Sequence, residues 1–315
     1  MDGLKALMPS RLLAAGLVMS AMASAAPASA CVLLDTFDNL NPFVRQDGYH
    51  QFSYKPAIGP NAVVRYWHPG IWGGGAPGPS YVSFDPVGGR SGGAAVFNYS
   101  GSDNGYTTQD EIAYPIGGLV STRQGTIQFD YKPLYSSNDD SAVMYLLTTK
   151  PRINTPNATY TESLRNGIAN LQLAYLGWGG RKNFWVNVFD NGSDPAIQIQ
   201  SPGEGQANQF RFAANKWMRM ALTWNSEGIP AYGNKTIVLF INGIELVSTT
   251  QKFTARSLDR YLILGAQDGC IFVQNSPAKC YSGASGSFDN LRVERVSRTT
   301  FGKASTAALA APNAR

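Results

Sequence analysis

Charge is scarce in this chain, and its scarcity excludes several classes of protein. Charged residues make up 15% of the 315 residues, against about 25% in an average globular domain. The formal net charge is +5, and no run of lysine and arginine reaches the density of a nucleic-acid or lipid-binding patch. We therefore expect no nucleic-acid partner and only weak attraction to acidic polymers.

Long apolar stretches are missing except near the start of the chain. There Lys5 and Arg11 precede the apolar segment Leu12–Met22, and the small residues Ala28-Ser29-Ala30 follow it. This is the pattern of a secretory signal peptide, and the apolar segment is too short to span a bilayer. We expect residues 1–30 to be removed and the product to be secreted, either extracellular or periplasmic.

Cysteine is limited to Cys31, Cys270 and Cys280. In an oxidising compartment a disulfide between Cys270 and Cys280 is the expected pairing, because the two are near in sequence and close a small loop. Cys31 is then left over, and as a mature N-terminus it could carry a lipid. Ala28 is a poor start for a lipobox, however, and the strand-like Val32–Leu34 follows at once without a tether, so we do not expect a membrane anchor.

Helical periodicity is absent beyond the leader, and short apolar runs separated by turn residues recur up to Val296. This spacing is typical of an all-β sandwich. We find no repeat and no linker, so one domain is predicted over 31–296, followed by a disordered or loosely attached tail over 297–315. The clearest strands are predicted at Cys31–Phe37, Ala62–Trp67, Ala94–Tyr99, Gly125–Lys132, Ala142–Thr148, Asn170–Leu176, Asn183–Phe189, Lys216–Trp224, Thr236–Ile241, Tyr261–Gly265 and Phe288–Val296.

The segment KTIVLFINGIELV, residues 235–247, predicts a β-hairpin. Two apolar runs meet at Asn242-Gly243, and both residues tolerate the positive φ of a type I′ turn.

Five segments, in order, resemble the laminin-G-like and concanavalin A-like jelly-roll family. They are DTFDN at 35–39, GTIQFDYKP at 125–133, WMRMALTW at 217–224, the hairpin, and FDNLRV at 288–293. The resemblance covers nearly all of 31–296 and implies a two-sheet antiparallel sandwich. This fold hosts lectins, adhesive modules, hydrolases and lyases, so the function must be argued from individual sites.

Two enzymatic interpretations have candidate residues. Asp110-Glu111 could supply carboxylates for a glycoside hydrolase, but adjacent strand residues point to opposite faces and no E-x-D-x-x-E string occurs, so both are expected in a loop or at the rim. A polysaccharide lyase of this fold would use Tyr49 with His50 or His68. The signature strings of alginate lyases are absent.

Binding without catalysis needs aromatic faces for sugar rings and planar polar groups for hydroxyls. Strand alternation places such side chains opposite core positions in three predicted strands. If these strands are neighbours, one surface carries the candidate ligand-binding residues Gln128, Asp130, Gln172, Trp185 and Asn187, with Trp178 and Arg219 at its edge.

Asp289 alternates with Leu291 and Val293, which predicts that its carboxylate points to the interior and needs a partner. The family resemblance implies that an aspartate here can help bind calcium with oxygens of the first strand, here Asp35 and Asp38. We therefore expect a structural calcium ion. A hydrogen bond or an arginine pair is the alternative.

The sequence thus predicts a secreted jelly-roll protein that binds a polysaccharide or another extracellular glycoconjugate without cleaving it. A polysaccharide lyase or, less favoured, a glycoside hydrolase of the same fold is the first alternative. A structural protein for adhesion or surface assembly is the second.

Overall fold

The structure is a computed structural model that describes residues 30–38, 51–65, 82–98, 111–139, 143–150, 171–177, 180–188, 197–255, 260–265 and 284–301. Within these ranges the chain forms sixteen β-strands and a short 3₁₀ turn at Pro230–Tyr232. The strands build two eight-stranded sheets, which confirms the predicted two-sheet antiparallel β-sandwich. In the described segments no helix has the length and apolarity to cross a membrane.

Sheet A has the order β14-β13-β12-β7-β16-β5-β4, and β1 pairs with the second half of β16. Its strands are β1 Cys31–Asp35, β4 Val82–Asp85, β5 Ala94–Asn98, β7 Gln124–Pro133, β12 Met218–Ile229, β13 Lys235–Ile241, β14 Ile244–Thr249 and β16 Ser285–Glu294.

Sheet B has the order β11-β10-β9-β8-β15-β6-β3-β2. Its strands are β2 Gln51–Tyr54, β3 Ala62–Arg65, β6 Glu111–Tyr114, β8 Val143–Lys150, β9 Leu171–Leu176, β10 Asn183–Val188, β11 Ile197–Gln200 and β15 Tyr261–Leu264.

The core lies between the sheets, because alternate residues of both contribute to one buried cluster. Ile127, Phe129 and Tyr131 of β7 meet side chains such as Tyr175 and Phe184 of sheet B in it. Trp224 is buried as well and donates its indole N–H to the Ser121 carbonyl. A Cβ on Gly125 would lie 2.4 Å from the Trp224 ring, so this position requires glycine.

The hairpin prediction is confirmed. Strands β13 and β14 pair through Ile241 and Ile244, and Asn242 and Gly243 have φ of 54° and 79°. The Asn242 side chain also accepts a hydrogen bond from the backbone N–H of Arg219 at 2.9 Å. The hairpin is therefore framework, forming one edge of sheet A.

A β-bulge in β16 makes one prediction wrong. The pairing of β16 with β7 shifts between Asp289 and Arg292, and Asn290 has a φ of 53°. The extra residue changes which face later side chains occupy, so Phe288, Leu291 and Val293 all reach the core. Asp289 is buried but lies on the outer side of sheet A, not on the face of Leu291 and Val293.

The first residues of the predicted tail contact the domain. Ser297 donates its hydroxyl to the Trp224 carbonyl, and the Arg298 backbone N–H donates to Thr126. The Phe301 ring packs on Phe240 with centroids 4.8 Å apart. Loose attachment therefore stays a prediction only for residues 302–315.

Candidate functional site

The predicted binding residues divide between the two outer faces of the sandwich. Gln128 and Asp130 lie on β7 in sheet A, whereas Gln172 lies on β9 and Trp185 and Asn187 lie on β10 in sheet B. Strands β9 and β10 are neighbours, as the prediction of one surface requires, but β7 is not next to them. The prediction of one shared surface is therefore wrong, and each face must be considered separately.

On sheet B a row of polar side chains crosses four neighbouring strands. Thr148 of β8 pairs with Gln172, Gln172 with Asn187, and Asn187 with Gln198 of β11. The row runs from Thr148, which is fully buried, to Gln198, which is exposed at the sheet edge. The Thr148 hydroxyl has no hydrogen-bond partner among the described residues, so the inner end of the row has an unsatisfied polar group there.

A continuous chain of side-chain hydrogen bonds connects this row to Trp185. The Trp185 indole N–H donates to Asn183 at 3.0 Å, Asn183 to Gln200 at 3.4 Å, and Gln200 to Gln198 at 3.1 Å. Gln198 then donates to Asn187 at 3.1 Å, and Asn187 to Gln172 at 3.3 Å. We call these six residues the amide face.

The direction of this chain follows from the chemistry of its first member. An indole N–H can only donate, so the Asn183 oxygen must face it and the Asn183 nitrogen must face Gln200. The same choice then passes along each amide to Gln172, whose nitrogen is the donor end of the chain. Trp185 therefore fixes the orientation of every amide on the face.

Trp185 is half-buried and rests on a small apolar cluster of Tyr145, Ala174 and Leu176 on the outer side of sheet B. The Arg181 guanidinium lies over its ring, 5.1 Å from the centroid. Arg181 itself is exposed. A ligand that stacks on this face of the indole must therefore displace the guanidinium.

A cleft of about 590 Å³ continues from the amide face. It shares Asn183 and Gln200 with the chain and is bordered by Arg181, Ser201 and Glu204. Glu204 accepts a hydrogen bond from the Lys182 ammonium at 3.1 Å. The face and the cleft together give a polar surface that begins at the edge strand β11 and extends past Trp185.

Polar side chains on the outer face of sheet A are used differently. Asp130 is fully buried and accepts two hydrogen bonds from Arg219, at 3.0 and 3.1 Å, one from Arg90 at 2.9 Å and one from Asn290 at 3.1 Å. The Asp130 carboxylate raises the pKa of Arg219. Asp130 and Arg219 thus bind each other, while Gln128 sits between Ala221 and Arg292.

The three aspartates predicted to hold calcium have separate partners. Asp289 accepts backbone N–H groups of Arg90, Ser91 and Asn290, and Asp38 accepts the N–H of Gly93. These contacts hold the loop 88–93 against sheet A. Backbone N–H donors thus point at both carboxylates.

Asp35 points to the other side of sheet A, into the space between the sheets. It accepts hydrogen bonds from Tyr54 at 2.6 Å, Tyr114 at 2.9 Å and the backbone N–H of Phe37 at 3.0 Å. Burial raises the pKa of Asp35, although these donors oppose the shift.

The structure does not bring Asp35 together with Asp289. No group of three or more His, Cys, Asp or Glu able to hold a metal occurs in the described part of the chain, and calcium stays a prediction.

The candidate catalytic residues receive no test from the structure. Tyr49, His50, His68 and Asp110 lie outside the described residues, as do Trp178 and the predicted disulfide partners Cys270 and Cys280. Glu111 is described, and the prediction of a loop or rim position for it is wrong. It begins β6 and is buried.

Sequence reasoning missed Asn183, Gln198 and Gln200. The last two belong to β11, whose sequence IQIQ alternates between buried isoleucine and exposed glutamine. This short alternation could have predicted the strand and its outward-facing amides. The sequence gives no signal for the pairing of β11 with β10.

No protein-family model matches the sequence, and no curated protein matches it either. Among solved structures, it is similar to domain 4 of a GH43 extracellular arabinanase from Geobacillus stearothermophilus, solved with arabinotriose. The identity is 16% and the TM-score 0.45, over 85% of this chain and 93% of that one.

Two further structures show a comparable likeness. The botulinum neurotoxin serotype G binding domain has 11% identity and a TM-score of 0.46, over 85% of this chain and 48% of that one. A CBM40 module of a Ruminococcus gnavus IT-sialidase has 17% identity and a TM-score of 0.32, over 56% and 78%. At these values a likeness does not extend to ligand or activity, so function is argued from side chains.

Proposed function

We propose that the amide face of sheet B binds a carbohydrate and holds it without cleaving it. The observation that supports this most directly is the hydrogen-bonded chain that runs from Trp185 through Asn183, Gln200, Gln198 and Asn187 to Gln172. It combines a half-buried aromatic ring with planar polar groups in a fixed orientation, on a regular sheet. Sites of this kind are pre-organised because the strands hold them.

The chemistry of the amides matches that of sugar hydroxyls. An amide offers two N–H donors and an oxygen with two lone pairs. Asn183 donates to both Gln200 and the Ser201 carbonyl, whereas the other four amides use at most one N–H in the chain. A hydroxyl can donate to a remaining lone pair and accept from a remaining N–H of these four. The indole adds an apolar surface suited to the C–H face of a sugar ring.

The same groups are unsuited to proton transfer. General acid and base catalysis needs a side chain that titrates near the working pH, and neither an amide nor an indole does so. This composition favours a binding role for the face over the lyase and hydrolase alternatives.

We further infer that the chain acts outside the cytoplasm and belongs among the laminin-G-like or concanavalin A-like sandwiches. Export is supported by the leader-like residues 1–30, and the family by its five motifs in order. An extracellular polysaccharide or glycoconjugate is the ligand that fits this location.

The test is a glycan-array screen of the full chain, with and without EDTA, followed by product analysis of every hit. Trp185→Ala is the key variant, and Trp217→Ala is the matched control. Trp217 is also half-buried but stacks with Lys132 at 5.0 Å on a different surface.

We expect intact ligand, loss of binding in Trp185→Ala, and retention in Trp217→Ala. Cleaved products, or equal losses in both variants, would overturn the proposal. Binding that disappears with EDTA would support a calcium ion.

A further inference from the structure

A second cleft, at the end of the sandwich where β7 begins and β16 ends, is lined by two arginines. Glu294 pairs with Thr126, so Arg123, just before β7, and Arg295, just after β16, come from the same end of two neighbouring strands. The cleft has a volume of about 430 Å³ and is also lined by Gly118, Ser121 and Gln124.

Among the described residues these two arginines have no acidic partner, unlike four other arginines on or beside sheet A. Arg90 and Arg219 pair with Asp130, and Arg292 and Arg298 pair with Glu294. Across the described ranges Arg123 and Arg295 form no ion pair, and no carboxylate lines their cleft.

The acidic residue next to Arg295 in sequence is already paired with other arginines. Glu294 precedes Arg295 but is 1% exposed and already holds two guanidinium groups. Two like charges therefore border one cleft without a counter-charge from the described residues. An anion in the cleft would be attracted by both guanidiniums.

The remaining polar groups of the cleft are also suited to an oxyanion. The Ser121 hydroxyl oxygen accepts the backbone N–H of Arg123 at 3.3 Å, which leaves its hydrogen available to donate. Gln124 is half-buried and presents an amide. Guanidinium groups match carboxylate and sulfate oxygens with paired N–H donors.

The geometry points to a second binding site, in which Arg123 and Arg295 hold the carboxylate or sulfate group of an acidic polysaccharide. The anion site stands on the two arginines alone, whereas the choice of a polysaccharide rests on the proposed function. An acidic glycan would then be held at this cleft, and the amide face would hold neutral sugar units.

The test measures binding of the full chain to trigalacturonate, to a sulfated heparin tetrasaccharide and to inorganic sulfate, by titration calorimetry at low salt. Arg123→Gln and Arg295→Gln are the variants. Arg211→Gln is the control because Arg211 is exposed, carries the same charge and lines neither cleft.

We expect each cleft variant to weaken binding of an acidic oligosaccharide about tenfold, the effect of losing one charged hydrogen bond. The control should change it less than about twofold.

The outcomes distinguish this proposal from the proposed function. Equal weakening by Arg211→Gln, or no binding of any acidic probe, would overturn the anion site. Binding of inorganic sulfate alone would overturn the choice of a polysaccharide. Trp185→Ala should leave acidic binding unchanged, and Arg123→Gln should leave binding at the amide face unchanged, so each site can fail by itself.

Discussion

The two outer faces of the sandwich use their polar side chains for opposite purposes. On sheet A, Asp130, Arg90 and Arg219 satisfy one another, and the buried carboxylate has four donors. On sheet B, the hydrogen-bonded side chains of the amide face are neutral, and most of them keep unused donors and acceptors. Polar residues opposite core positions are therefore not equivalent. Side chains whose donors and acceptors are satisfied within the protein stabilise it, and side chains with unused donors or acceptors can bind a ligand.

Among the variants that test this difference, Asp130→Ala should lose the most unfolding free energy. Removing one partner of a buried ion pair costs about 3 to 5 kcal/mol, and we expect the lower end, because the side chains of Arg90 and Arg219 are 34% and 31% exposed and can be hydrated. Urea unfolding would measure the loss. Lys235→Ala is the control, since its exposed pair with Glu245 should contribute at most about 1 kcal/mol. Equal losses would show that the sheet A network is not a stabilising device.

Asn187→Ala tests the same difference on sheet B, where the expected loss is in ligand binding. Asn187 is the middle of the polar row and links Gln172 to Gln198, so its loss should weaken binding of an array hit about tenfold. Stability should fall by about 1 to 2 kcal/mol, because the exposed Gln198 can bind water instead, whereas the buried Gln172 loses a hydrogen-bond donor.

Gln128→Ala is the matched control for that experiment. Gln128 is a half-buried amide on the outer face of sheet A, and its loss should leave binding unaffected. Weaker binding in Gln128→Ala than in Asn187→Ala would place the ligand on sheet A and contradict binding at the amide face.

The pH dependence of stability should differ between a buried carboxylate, Asp35, and an exposed one, Asp139. The donors to Asp35 within the described residues are Tyr54, Tyr114 and the Phe37 backbone, none of them a cation, and burial raises the pKa of Asp35. Its contribution to stability is therefore fully present below the unfolded-state pKa of about 3.9 and is lost as the pH rises through the folded-state pKa. Asp35→Asn should gain stability relative to the unchanged chain between pH 4.5 and pH 7.

Asp139→Asn should show the opposite trend in the same urea experiments. Hydrogen bonds from Ser136 lower the pKa of Asp139, so its contribution is present above the unfolded-state pKa and disappears as the pH falls. A parallel trend in the two variants would contradict the role of burial at Asp35.

The sequence predicted what depends on local chemistry and missed what depends on strand pairing. The hairpin follows from Asn242-Gly243, and β7 from the alternation in its own residues. The order of strands is non-local, so alternation could not separate Gln128 and Asp130 from Gln172 and Trp185. Alternation also failed at Asn290, where one bulged residue moved Asp289 to the outer face.

The smallest expected effect comes from the hairpin, which forms the edge of sheet A and whose strand β14 lies beside β11 of sheet B. Gly243→Ala places a Cβ at a φ of 79°, which should cost about 1 kcal/mol of unfolding free energy. Because the Asn242-Gly243 turn contributes no group to the hydrogen-bonded chain of the amide face, binding there should not change. This variant thus separates loss of stability from loss of the site. If Gly243→Ala weakens binding as much as Asn187→Ala does, the binding loss in Asn187→Ala reflects stability, and the two faces do not have separate roles.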